Sequence, residues 1–330
     1  MNIAIVLFLC AVLVIPAALE AAQSSPATQP AGGALAGERL RVIISSDIGG
    51  SDPDDFQSMV HYLVYADLFD TEGLIASPPG KGRRLHILYV IDAYENDYPN
   101  LKKHADRYPA PAELRRIAKQ GAIDPAPKAG FSQPTDGSRG IVERASAADE
   151  RPLWILVWGS ITDVAQAVHD APQIKPRLRI YSIGSWNTKQ DPAARDYLAQ
   201  HHPDLWWIEA DTTFRGMYMG GNQAGDLANR EFVAQHVKGH GALGDFLVKQ
   251  KADIKMGDTP SVLYLLRGQA DQPQTDHWGG AFSRPDPKRT YWTDNQAPDL
   301  VEANRPGAKT VNRWREAYLR DWQQRMDRAQ

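Results

Sequence analysis

The chain has 330 residues, 42% hydrophobic and 23% charged, and its 37 basic and 40 acidic residues leave a formal net charge of -3. Its single cysteine, Cys10, lies in an apolar N-terminal run, so a domain released from that run has no thiol. That excludes a disulfide scaffold, a Cys-ligated zinc or iron-sulfur site and a cysteine nucleophile, and without a long basic block there is no electrostatic case for nucleic acid or an anionic membrane as partner.

Ile3 to Ile15 (IAIVLFLCAVLVI) is an apolar core of signal-peptide length, followed by Pro16 and small residues through Ala22. Residues 1–22 therefore read as a secretory signal cleaved near Ala21 or Ala22, and the protein as secreted or periplasmic. The alternative is an uncleaved anchor, since no Lys or Arg precedes the run; Pro16 and Glu20 leave it short of the ~20 apolar residues a spanning helix needs. Gln23 to Glu38, rich in Ser, Pro, Ala and Gly, reads as a flexible spacer. Residues 39–330 then form the folded domain, with no later run long enough to span a membrane.

Arg41 to Ser46 (RVIISS) has the pattern of a buried strand. Beyond a loop of Gly, Ser, Asp and Pro, the spacing of Phe56, Met59, Val60, Leu63 and Val64 predicts an amphipathic helix with acidic residues at its start. Thr71 to Ser77 reads as a strand, Leu85 to Asn96 and Glu113 to Gln120 as helices, and Leu153 to Trp158 (LWILVW) as a buried strand followed by a helix over Ile161 to His169. Leu178 to Ile183 and Leu205 to Ile208 add strands around a helix from Pro192 to Gln200, with Trp206 and Trp207 expected on opposite faces and Trp154 and Trp158 in the core. Lys119 to Ser146 and Gln269 to Pro298 read as long loops. Strands alternating with helices predict an α/β fold: an open, mostly parallel sheet with helices on both faces, whose ligands bind beyond the carboxyl ends of the strands.

The loop after the first strand, SDIGGSDPDD, holds four carboxylates, Asp47, Asp52, Asp54 and Asp55, within nine residues. Carboxylates gathered at a sheet edge repel one another unless a cation neutralises them, and oxygen-only ligation suits calcium or magnesium. The plain alternative is that Asp54 and Asp55 stabilise a helix N-terminus and Asp52 begins a turn. The spacing is not that of an EF-hand. Nor does it suit an aspartyl-phosphate enzyme, because Gly49 stands two residues after Asp47.

SSDIGGSDPDD after a strand resembles a lengthened form of the Asp-rich N-terminal motif of the nucleoside hydrolase superfamily. More closely, the chain resembles the secreted bacterial branch of nucleoside hydrolase-like or cellulose-binding proteins. The resemblance runs through FQSMVHYLVYADLFDTEGLIAS, IDAYENDYPNLKKHADRYPAPAELRRIAKQG, RPLWILVWGSITDVAQAV, GDTPSVLYLL and HWGGAF, so it spans Arg41 to Asn295. It implies the nucleoside hydrolase-like fold, bound calcium, and hydrolysis of the N- or O-glycosidic bond of a ribose-like furanoside. By the same resemblance Asp47 is the metal ligand that takes a proton from the attacking water, Asp54 and Asp55 bind metal and sugar hydroxyls, Asp258 completes the metal shell, and the Trp158 carbonyl adds an oxygen. Asn187 is the candidate amide for ribose hydroxyls.

Where classical members carry a His before the late aspartate, this chain has Gly257, so leaving-group protonation has no assigned residue. His277, beside Trp278 in HWGG, is the candidate substitute, with Trp278 and Trp292 as candidates to stack on a base or sugar. The loop after Leu178 to Ile183 also differs from related chains, which are acidic where this one has Trp186 and Lys189. The expected partner is a small riboside or carbohydrate, with a homo-oligomer left open. The rival reading is a non-catalytic carbohydrate-binding protein that keeps the metal pocket. Metal-dependent phosphoester hydrolysis is disfavoured, because no basic cluster accompanies the acidic loop.

Overall fold

The structure, a computed structural model, describes residues 39–50 and 52–330; the signal and spacer read at 1–22 and 23–38 lie outside the described residues. The strands are β1 (Leu40–Ser46), β2 (Phe69–Ala76), β3 (Ala118–Gln120), β4 (Leu153–Val157), β5 (Leu178–Ile183), β6 (Trp207–Ala210), β7 (Phe282–Ser283) and β8 (Tyr291–Asp294). They form one sheet in the order β3-β2-β1-β4-β5-β6-β8-β7, and every pair is parallel except β7 with β8. This is the open, mostly parallel α/β sheet that the strand-helix alternation predicts.

The central strands are apolar at nearly every position, and the pleat sends successive side chains to opposite faces, so both faces need cover. Val42, Ile44, Trp154, Leu156 and Trp206 enter one core. Ile43, Leu153, Ile155, Val157 and Trp207 enter the other. Helices Asp54–Val64, Arg84–His104, Thr259–Leu266 and Arg315–Met326 contribute to the first core, and Asp136–Ala145, Thr162–Asp170 and Pro192–His201 to the second. None of the described helices is long and apolar enough to cross a membrane.

Three sequence readings change. The helix expected over Glu113 to Gln120 is Pro111–Ile117, and Ala118–Gln120 instead pairs with Leu74–Ala76 as β3, where the exposed edge of β2 offers a ladder. The loop read from Lys119 to Ser146 contains helix Asp136–Ala145, whose Gly137 and Gly140 weaken its propensity and whose start is fixed by Thr135 Oγ1 accepting from the Ser138 amide at 2.8 Å. The loop read from Gln269 to Pro298 contains β7 and β8, the latter adding to the edge of β6.

From β1 the chain builds outward to β2 and β3, and from its neighbour β4 outward to β5 and β6. The β1/β4 boundary is a topological switch point, where the loops after two adjacent strands diverge and leave a crevice. The Trp158 amide donates to Ser45 O at 2.7 Å and carries the β1/β4 ladder to the lip of that crevice.

Candidate metal centre and ligand cavity

β1 ends at Ser46, and the next residue, Asp47, stands at the crevice. The Gly50 amide donates to Asp47 O at 3.0 Å and folds the loop back on itself, with Gly49 at φ 89° supplying the left-handed residue the turn requires. The Ser46 hydroxyl donates to the Asp55 carboxylate and also accepts the Ile48 amide, so the strand end and the first turn of helix Asp54–Val64 are tied together. Gly159 lets the loop after β4 close on Asp47: a Cβ there would lie 2.7 Å from Pro78 O and 2.8 Å from Asp47 N.

Asp258 arrives from far along the chain, and the agent is a buried glutamine. Gln57 Nε2 donates to the carbonyls of Lys251 and Asp253 at 2.9 Å each, and Gln57 Oε1 accepts the Lys255 amide at 3.0 Å. This three-bond clamp, with Thr259 Oγ1 3.1 Å from Ser58 Oγ, seats the start of helix Thr259–Leu266 against the start of helix Asp54–Val64. Carboxylate oxygens of Asp54, Asp55 and Asp258 then all lie within 4.8 Å of one another.

The electrostatics of this cluster are those of a site built for positive charge. Burial, opposed in part by hydrogen bonding to Asp55 and reinforced by the charge of Asp54, lifts the Asp47 carboxyl from 3.8 to about 7. Burial and mutual repulsion likewise raise Asp54, Asp55 and Asp258 well above the ordinary carboxylate range. Asp258 Oδ2 is buried and accepts no hydrogen bond. Among the described residues Lys255, 3.0 Å from Asp52, is the one side chain in an ion pair with any of the five aspartates. An oxygen-only set of three converging carboxylates with an orphaned buried oxygen fits a hard divalent cation.

A cavity of about 330 Å³ opens above this floor. It is lined by Asp47, Asp54, Asp55, Asp258, Trp158 and Asn187 from the sequence-derived set, and also by Trp186, Phe214, Arg215, Tyr218 and Lys255. Asn187 Nδ2 donates to Trp158 O at 2.7 Å and to Ile183 O at 3.1 Å, so its amide protons hold the loop after β4 and only its Oδ1 is left for a ligand. His277 and Trp278 are not among the lining residues. His277 is fully buried, stacked on Tyr264 at 3.9 Å, with its two ring nitrogens each 2.9 Å from a carbonyl, those of Thr275 and Gln269, and burial lowers its pKa. Trp278 is buried beneath the Arg267 guanidinium, and Trp292 packs on Trp206 at 4.8 Å. Gly279 explains the descent into the core: its Cα passes so near the helix that a Cβ would lie 1.9 Å from Pro260 O.

Three of the walls that sequence reading missed, Phe214, Arg215 and Tyr218, come from the segment just after β6. Phe214 and Tyr218 sit four residues apart in and beside the short turn Thr213–Met217, at the carboxyl end of a strand, and that position is the signal that could have found them.

The family described as cellulose-binding Sde182, nucleoside hydrolase-like domain, matches residues 41–282. The chain belongs to this family. Among solved structures it is similar to a nucleoside hydrolase-related protein of Saccharophagus degradans associated with carbohydrate metabolism, at 28% identity and a TM-score of 0.69, covering 88% of this chain and 72% of that one. Two more distant likenesses share the fold. A plant nucleoside hydrolase has 14% identity and a TM-score of 0.52, with 88% and 99% of the two chains covered. The type III effector protein XopQ, solved in complex with adenosine diphosphate ribose, has 12% identity and a TM-score of 0.51, with 88% and 93% covered. No curated protein matches this chain. Family and fold together support a glycosidase-like or carbohydrate-binding role for the Sde182-like domain.

Proposed function

We propose that this protein is a calcium-dependent glycosidase that hydrolyses the N- or O-glycosidic bond of a ribose-like furanoside. The observation that carries this reading is the cavity floor, where Asp54, Asp55 and Asp258 converge, Asp258 Oδ2 has no partner and Asp47 stands alongside. Asp47, Asp54, Asp55, Asp258 and the Trp158 carbonyl would hold the cation. Calcium bound there would supply a positive charge that holds ring hydroxyls and favours ionisation of an attacking water. Asp47, just after the end of β1 and beside the converging carboxylates, is placed to take the proton of that water at Oδ. Asn187 holds the Trp158 carbonyl through its amide at 2.7 Å, and Phe214 and Tyr218 wall the site. The small-molecule ligand is consistent in kind with the nucleotide sugar bound by XopQ, a protein of the same fold.

Leaving-group protonation is the weak step in this chain. Gly257 has no side chain to offer, and His277 is stacked in the core. A substrate whose leaving group departs as a stable anion escapes that defect, so 4-nitrophenyl riboside is expected to turn over at least tenfold faster than inosine or uridine, with release of reducing sugar abolished by chelator. A screen in which no furanoside is cleaved but glycans still bind would favour the second reading, a carbohydrate-binding protein that keeps the metal pocket. Gly257 and the committed Asn187 amide are the observations on its side.

Export belongs to the same proposal. The apolar run of residues 3–15 predicts a mature chain that begins just after Ala21 or Ala22 and is recovered from the periplasm or medium. N-terminal sequencing checks this, and an intact Met1 on the membrane-bound protein would contradict it.

A further inference from the structure

The cavity rim carries two side chains that the reaction above does not use. After β5 the chain passes through Gly184 and Ser185 into the five-residue helix Trp186–Gln190. Trp186 is 62% exposed, more than any other large hydrophobic side chain among the described residues. A single exposed apolar residue needs no explanation by itself. The backbone that presents this one does, because Ser185 sits at φ 57° and ψ -107°, a region that residues with a Cβ rarely populate.

The strained turn is held from several sides. The Ser185 amide donates to Asp211 Oδ1 at 2.6 Å, and Gly184 makes room for that carboxylate, since a Cβ there would lie 2.1 Å from the same oxygen. One residue beyond the tryptophan, Asn187 is pinned to the Trp158 and Ile183 carbonyls. Arg215 stands on the same rim, its guanidinium 4.9 Å from the Phe214 ring, with Nη1 donating to the Tyr218 hydroxyl at 3.1 Å and Nη2 to Ser185 Oγ at 3.3 Å. Its Nε is buried without a partner, and no carboxylate among the described residues forms an ion pair with it. An exposed indole on a backbone fixed at both flanking residues and a guanidinium with donors to spare thus share one wall through Ser185, next to the acidic floor.

We infer that Trp186 and Arg215 form a second subsite that takes the neighbouring ring of the glycoside whose first ring sits on the aspartate floor. This rests on the glycoside reading of that floor. Trp186 stacks on the flat face of the second ring, and Arg215 donates to its hydroxyl, ring or carbonyl oxygens. A planar base and a pyranose present the same chemistry here, a flat face edged with acceptors, so the probes must separate them.

The test titrates inosine and a glucopyranosyl ribofuranoside into the calcium-loaded full chain by calorimetry, with calcium affinity and thermal midpoint measured in parallel. Trp186→Ala is expected to weaken binding of one of the two probes roughly tenfold to a hundredfold, the range for loss of one stacked ring, while Trp186→Phe keeps most of it. Arg215→Gln should weaken the same probe by a smaller factor. Calcium affinity should stay at the wild-type value in all three variants and the thermal midpoint in the two Trp186 variants, while Arg215→Gln, which frees the Ser185 and Tyr218 hydroxyls, is read against calcium affinity alone. The probe that loses affinity identifies the second ring as base or sugar. Unchanged binding in Trp186→Ala, or a parallel fall in calcium affinity, overturns the subsite and leaves the floor reading standing. A wild-type protein that binds neither probe removes the floor reading and the subsite with it.

Discussion

Asp47→Asn is expected to lower turnover of any cleaved furanoside by about 10²- to 10⁴-fold, the usual range for loss of a positioned general base. The amide keeps an oxygen where the carboxylate had one but cannot accept the proton of the attacking water. Substrate affinity should therefore change only a few-fold while the turnover number collapses, which separates a proton-accepting role from a purely ligating one. The folded protein should not suffer. Burial already lifts this carboxyl to about 7, so above that pH the substitution removes a charge that the cation-free protein holds at a cost. Steady-state kinetics with 4-nitrophenyl riboside beside a thermal melt would decide the matter. Undiminished hydrolysis by Asp47→Asn would mean that another group activates the water.

The second large effect concerns cation removal and pH together. The folded-state pKa of Asp47 is raised to about 7 and those of Asp54, Asp55 and Asp258 are raised well above 3.8, chiefly by burial. A raised acid holds its proton longer in the folded chain than in the unfolded one. Between pH about 4 and about 7 the folded state thus binds more protons, and the stability present in acid is lost as pH rises. Chelator-treated protein should accordingly melt at progressively lower temperature across that interval. Calcium should reverse the trend, because it replaces the protons, and its affinity should rise with pH. At a hundredfold excess over the dissociation constant the gain is ~2.7 kcal/mol, or roughly 5–10 °C. A smaller slope should survive in calcium, because Asp163, whose carboxylate accepts the Ala122 amide and the Thr135 hydroxyl outside the aspartate cluster and is raised by burial to about 6, titrates between about 4 and about 6. Asp258→Asn should abolish the calcium-dependent gain. Melting curves at pH 5, 6, 7 and 8 with calcium and with chelator test this, and a midpoint indifferent to calcium at pH 8 would sink the metal assignment.

Both expectations depend on charges that can be followed from the linear chain, and the extent of that legibility differs by residue. β1, β4 and β5 were readable because a strand buried on both faces must be apolar throughout, and helix Asp54–Val64 because its apolar stripe repeats at the helical period. β3 and β8 were not readable. Ala118-Lys119-Gln120 and Tyr291–Asp294 are strands because an existing sheet edge offers them hydrogen bonds, and an edge exists only once the sheet has assembled.

The site divides along the same line. Asp47, Asp54 and Asp55 are concentrated in one loop after one strand, so their proximity is a property of the chain itself. Asp258 could be named only through resemblance, since 203 residues separate it from Asp55 and what joins them is the Gln57 clamp on Lys251, Asp253 and Lys255. His277 and Trp278 show the opposite case. In a Gly-rich segment a His and a Trp carry the same letters whether they face a ligand or pack beneath a helix, and the close pass of Gly279 along Pro260 sends them into the core. Local periodicity and local charge density thus determined the fold class and placed three of the crevice aspartates. Tertiary packing alone decided which aromatic residues line the cavity, that Asn187 braces the Trp158 carbonyl, and that Arg215 joins Trp186 on the rim. Burial and convergence depend on elements distant in sequence, and no short stretch of the chain encodes them.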